Sequence, residues 1–189
     1  YPEKVIELTA DYLAWPYADI SDIPAKKSQI DSLAHKTKVT LLTQPSSKFP
    51  VNGANSLVDQ ALGEREFTLG NWLGFEGNNL VATIDLGKNT HFEQVIVGTL
   101  QNTASWIFHP SYIEVSWSND GKHFSEPIRQ SNQQKVNDNR IFINRSQFSQ
   151  ENVHARFIKV TAKNIEKCPE WHVGQGKQAW LFIDEISVL

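Results

Sequence analysis

Two carboxylates stand side by side near the end of the chain, Asp184 and Glu185. Paired carboxylates are the machinery of glycoside hydrolysis, one acting as acid and the other as base or nucleophile. These two lie in the apolar run AWLFIDEISVL (179–189), which predicts a strand. Neighbouring side chains of a regular strand point to opposite faces, so the pair is not expected to flank one bond. Glu166 and Glu170 lie in a loop with no marked partner. Cys168 and His172 match a thiol nucleophile and its base in type alone. Such catalysis needs an activated thiolate, and short spacing is no sign of one. A lone Cys before Pro169 reads more simply as a small apolar anchor. The histidines are scattered without HxxxH spacing, and the chain has no CxxC, phosphate loop or GxGxxG. Zinc and nucleotide chemistry therefore have no signature here.

Recognition chemistry is better represented. Six tryptophans are present, and several sit in loops. Trp106 stands at the apex of LQNTASWIFHP (100–110), with Gln101, Asn102 and His109 as polar neighbours. Trp171 and His172 precede two glycines in CPEWHVGQGKQAW (168–180). An indole face can stack on the C–H side of a sugar ring while fixed polar groups hold the hydroxyls. The plain alternative is that Trp106 plugs the open end of a packed domain. Trp117, alternating with Ile113 and Val115, and Trp180, at the head of the last strand, are expected in the core.

The elements that must position these loops are strands. KVTLL (38–42), LVATIDLG (80–87), FEQVIVGTL (92–100), YIEVSWS (112–118), RIFIN (140–144), ARFIKVTAKN (155–164) and AWLFIDEISVL (179–189) are separated by polar turns. FEQVIVGTL is apolar on both faces, as a covered strand would be. Asn119-Asp120-Gly121 is a strong turn signal after a β run. LGNWLGFEGNN (69–79) reads as a loop carrying Trp72 and Phe75 among glycines. This pattern, with no long helix, predicts an all-β fold, an antiparallel β-sandwich over 38–189. Residues 1–37, broken by Pro16 and Pro24, read as an irregular N-terminal arm or linker, with Trp15 available to dock it. Hydrophobic residues make up 40% of the chain and charged residues 21%, which suits a packed core. A net charge of −3 gives no footprint for nucleic acid, and no apolar run reaches the ~20 residues of a membrane span. No Lys or Arg occurs from 89 to 121, which argues against a lipid surface around Trp106. The chain begins at Tyr1 and contains no Met, as a piece of a longer product would.

Several segments together resemble a known family. NSLVDQALG, NWLGFEGNNLVATIDLGKN, WIFHPSYIEVSWSNDGKHF, ARFIKVTAKN and WLFIDEISVL follow in the order seen in the discoidin or coagulation-factor type C domain. LQNTASWIFHP and CPEWHVGQGKQAWLFIDEI further resemble the type C module that follows the catalytic domain of some bacterial family 20 glycoside hydrolases, the β-hexosaminidases. The resemblance spans roughly residues 36–189. It implies a jelly-roll sandwich of the galactose-binding type and sugar binding by loops at one end. The sugar would be of the galactose or N-acetylhexosamine type. It further implies a non-catalytic role beside a parent enzyme's catalytic domain, and export to the periplasm, surface or medium of a bacterium. It also implies a structural Ca²⁺ held by Asp59 and Glu185 with backbone carbonyls from 57–68. The sequence departs from the family's DGn..T.W pattern there, reading DQALGEREFTLGNW with Gln60 in place of Gly. Simple hydrogen bonding of both carboxylates is the other account of that pair. A domain that packs on its catalytic neighbour without binding sugar is the other account of the whole.

Overall fold

The computed structural model describes residues 31–189. The strands are β1 (Lys38–Leu41), β2 (Leu73–Glu76), β3 (Leu80–Gln101), β4 (Tyr112–Ser118), β5 (Ile128–Ser131), β6 (Phe142–Lys163) and β7 (Trp180–Val188). All their pairings are antiparallel, in the order β2-β7-β3-β6-β4-β5 with β1 on β3. The only helical pieces among the described residues are short 3-10 turns. None is long and apolar enough to cross a membrane. The expected β-sandwich is the observed fold.

The two longest strands build both layers. The register of β3 on β6 breaks between Asp85 and Thr90, where Gly87 takes φ 80°. Only glycine adopts that conformation without steric cost. Before the break β3 pairs with β1, and after it with β7. One apolar cluster then unites Ala82, Ile84, Ile113, Val115, Ile158 and Val160 from one side with Val95, Val97, Leu181, Ile183, Ile186 and Val188 from the other. The two expected strands 80–87 and 92–100 are thus one strand folded over at the corner of the sandwich.

Both faces of the β7 layer are covered, as the pattern of FEQVIVGTL implied. Leu181 and Ile183 face the main core, whereas Trp180 and Phe182 pack outside with Phe49, Phe67 and Trp72. Two strands escaped the sequence reading. β2 falls in the stretch expected to be a loop, because Gly74 hides the alternation of Leu73 and Phe75. A Cβ at Gly74 would lie 2.9 Å from both Phe182 and Phe49, so the aromatic layer requires glycine there. β5, of sequence IRQS, is too polar to announce itself. The chain turns at Asn119–Gly121 as expected, with Asp120 Oδ1 accepting from the N–H groups of Lys122 and His123, but the returning strand starts only at Ile128.

The sandwich also engages the chain before β1. Leu33 N–H donates to the Val188 carbonyl, and Ser32 Oγ accepts from Val188 N–H. Ala34 is wholly buried. The rest of the expected arm, with Trp15, lies outside the described residues.

Candidate functional site: the loop end of the sandwich

The strand ends Glu76, Leu80, Gln101, Phe142, Lys163 and Trp180 gather at one end. Asn164, buried just past β6, ties them together: its side-chain NH₂ donates to the carbonyls of Phe75 and Ala179, and its backbone N–H to Asn79 Oδ1. From this base two loops rise and meet.

The first loop is a tight hairpin. Asn102 and Ile107 exchange both backbone hydrogen bonds at 3.0 Å, and Asn102 Oδ1 caps Ser105 N–H. The turn Thr103–Ser105 ends on Trp106, which holds a left-handed conformation of φ 65°, ψ 19°. A bulky residue there costs roughly 1–3 kcal/mol and persists only where its surroundings over-determine it. They do so here. Trp106 N–H donates to Thr103, its carbonyl accepts from Trp180 N–H, and Gly174 lies under the indole. A Cβ on Gly174 would stand 2.9 Å from Trp106 Cε2.

The second loop closes on the first through His172, only 7% exposed. Its Nδ1 accepts from Gly174 N–H at 3.0 Å, so Nε2 carries the proton and donates to the Thr103 carbonyl at 2.8 Å. The imidazole stands edge-on to Trp106, Phe108 and Trp171. Trp106 and Trp171 are both half-buried, and the adjoining Val173 is 95% exposed. The loops therefore bring Trp106, Trp171 and His172 together, as the sequence suggested.

The polar candidates have internal tasks. Both His172 nitrogens are used within the fold, and Asn102 caps its own turn. Gln101 is buried and donates to the carbonyls of Asp138 and Arg140. His109 is buried, with Nδ1 2.8 Å from Thr99 Oγ1 and its ring against Phe142. Its Nε2 has no partner, and burial pushes its pKa down to about 4, keeping it neutral. The surface left for a ligand is thus the two indoles with exposed Ala104, Glu170, Val173 and Gln175 around them. Cys168 is 3% exposed beside Phe108 and Ala179, and burial raises its thiol pKa. It anchors the loop as a thiol.

The carboxylates of β7 break the expected alternation. Val97 pairs with Ile186 and Thr99 with Ile183, so β7 bulges at Asp184–Glu185. Ile183 and Ile186 both stay in the core. The premise of opposite faces therefore fails here, but the two carboxylates still have separate partners. Asp184 forms a bidentate pair with Arg145, its Oδ2 2.6 Å from Nη2, and accepts from Gly63 N–H at 2.8 Å. Glu185 Oε2 accepts from Gln60 N–H at 2.9 Å. Glu185 Oε1 is buried with no partner. Burial, with the negative charges of Asp59 and Asp184 nearby, pushes the Glu185 pKa up to about 8. Asp59 accepts from Ala61 N–H at 2.8 Å.

The residues at this bulge fit calcium in kind: an orphaned buried carboxylate oxygen, a second carboxylate nearby and a curved loop with carbonyls to offer. Among the described residues no group of three or more His, Cys, Asp or Glu side chains is arranged to hold a metal. Calcium between Asp59 and Glu185 would thus take the rest of its six to eight oxygens from carbonyls of 57–68 and water.

No family model and no curated protein matches the chain. Solved structures do. The lectin domain of lectinolysin, complexed with Lewis B antigen, superposes with a TM-score of 0.54 at 14% identity, over 85% of this chain and 97% of that one. A Streptococcus pneumoniae fucose-binding module, SpX-3, gives 0.54 at 8% identity over 85% and 98%. A GH29 fucosidase of Ruminococcus gnavus in complex with fucose gives 0.50 at 17% identity over 86% of this chain and 27% of the larger enzyme. The chain shares its fold with these structures. At such identities the likeness is one of fold.

Proposed function

We propose that this chain is a non-catalytic carbohydrate-binding module that takes a sugar on the Trp106–Trp171 face. The observation that carries the reading is Trp106, a half-buried indole held in a strained left-handed conformation at a loop apex. Trp106 packs against buried neighbours on one side, and backbone strain of this kind clusters at ligand sites, where a half-open indole offers a flat apolar face to a sugar ring. The shared fold with the lectin domain and the fucose-binding module supports the class. The resemblance to modules of bacterial β-hexosaminidases supports an exported parent enzyme of that type and a galactose or N-acetylhexosamine ligand. Fucose joins these sugars through the fold neighbours. A structural Ca²⁺ at Asp59 and Glu185 would stiffen the 57–68 loop.

A shallow site buries little of a well-hydrated sugar, so the dissociation constant is expected on the order of 0.1–1 mM. NMR or calorimetric titration with galactose, fucose, N-acetylgalactosamine and N-acetylglucosamine tests this on wild type, Trp106→Ala and Trp171→Ala. Truncating a stacking Trp is expected to cost on the order of 1–3 kcal/mol, enough to lose detectable binding. Equal binding by both folded variants would refute the site. No binding by wild type across a broad glycan panel would favour a domain that packs on a catalytic neighbour.

A further inference from the structure

Far from the aromatic end, at the corner where β3 and β6 fold over, two imidazoles face each other. His91 of β3 and His154 of β6 are direct cross-strand partners, and both are exposed. Their ring centroids lie 4.9 Å apart with planes tilted by 43°. Directly opposed side chains on an antiparallel pair are the closest neighbours a sheet offers. The Glu93 carboxylate lies 3.9 Å from His91 Nε2. His91 also lines a groove of ≈ 610 Å³ whose rim carries Glu93 and Glu151.

We infer that His91 and His154 form a surface chelate for a divalent transition-metal ion, one with no part in sugar binding. The geometry sets the argument. An imidazole nitrogen binds such an ion at about 2.0–2.1 Å. The ring centre is roughly 1.1 Å further on, so it sits about 3.2 Å from the ion. Two rings sharing one ion at an angle of about 90–110° then have centroids about 4.5–5.2 Å apart. The observed separation of 4.9 Å falls within that range, so the paired strands already hold the rings at a chelating distance, and rotation of the exposed side chains brings one nitrogen of each to the ion. Both rings stand on paired strands, which fixes their bases more firmly than a loop would. Imidazole suits copper, nickel and zinc, while the neighbouring carboxylates add negative charge. Two protein nitrogens leave the remaining positions to water, so the site is open and binds Cu²⁺ most tightly, then Ni²⁺.

The experiment uses the 189-residue chain without an affinity tag, titrated with Cu²⁺ and followed by calorimetry and electron paramagnetic resonance. One tight site with two nitrogen ligands is expected. His91→Asn and His154→Asn should each weaken it at least tenfold, because each leaves a single imidazole. Both residues are exposed, so both variants should fold, which circular dichroism verifies. His123→Asn, a change at a highly exposed histidine held by Asp120, should leave binding intact. Absence of binding at millimolar Cu²⁺ would overturn the inference. So would equal affinity in wild type and either pair variant, or a loss as large in His123→Asn.

Discussion

His109 shows how a residue chosen for its chemistry can serve the fold and still leave a measurable trace. Its depressed pKa comes from burial, opposed by the negative charge of Asp138. The folded protein keeps the ring neutral down to about pH 4, while the unfolded chain protonates it near the ordinary ~6.5. As pH falls through that window the unfolded state binds the extra proton, so stability falls with pH and is fully present above the upper limit. The loss should approach roughly 3 kcal/mol by the lower limit, at about 1.4 kcal/mol per unit. Denaturant unfolding of wild type and His109→Phe across this range checks the sign. The variant should lack this share of the acid sensitivity, and identical pH slopes would place the loss elsewhere. Candidate residues were legible by type: Trp106, Trp171 and His172 do meet at one end. Their tasks were not legible, because nothing in the string WHVG says that Gly174 N–H will occupy one imidazole nitrogen and the Thr103 carbonyl the other. Long-range partners decide which polar groups remain free, and one sequence does not state them.

At the scale of elements, the bulge in β7 is the instructive case. Core residues recur as Leu181, Ile183, Ile186 and Val188, and the step of three between the isoleucines is the extra residue of a bulge, visible in the string itself. Read as a uniform strand, the same string placed Asp184 and Glu185 on opposite faces. β2 was missed for a related reason: Gly74 removes the side chain that would have completed the alternation. The bulge turns Glu185 toward Gln60 and leaves Oε1 bare, which makes a calcium test sharp. Glu185→Gln keeps the shape, and a carboxyl with a pKa near 8 is largely protonated at neutral pH. The variant should therefore melt close to the metal-free wild type. An ion bound only by the folded state at a hundred times its dissociation constant adds about 2.7 kcal/mol. For a domain of this length that is a rise of roughly 5–10 °C. Wild type should show the rise on adding Ca²⁺ after chelation, and Glu185→Gln should not. A rise in both, or in neither, would leave hydrogen bonding as the whole account of these carboxylates.

Across the whole molecule, β3 and β6 impose a mechanical consequence. A sandwich of two separate sheets could lose one and keep the other. Here each long strand belongs to both layers, and a single apolar cluster joins them. Opening either layer would strip β3 or β6 of partners in the other. The layers should therefore unfold together, in one transition, as small domains generally do. Ile158 of β6 pairs with β3 and β4 in one layer, while Ile183 of β7 pairs with β2 and β3 in the other, and both are fully buried. Ile→Val at either site removes one methyl group and should cost about 0.5–1.5 kcal/mol. Both variants should shift one common urea midpoint, with the slope unchanged. Circular dichroism, which follows the strands, and tryptophan fluorescence, whose six emitters include Trp72, Trp106, Trp171 and Trp180 at the loop end and outer face and Trp117 of β4 in the other layer, should give the same midpoint. If Ile183→Val moved the fluorescence transition and left the strand signal at its wild-type midpoint, the β7 layer would be a separate folding unit and the shared strands would not couple the two.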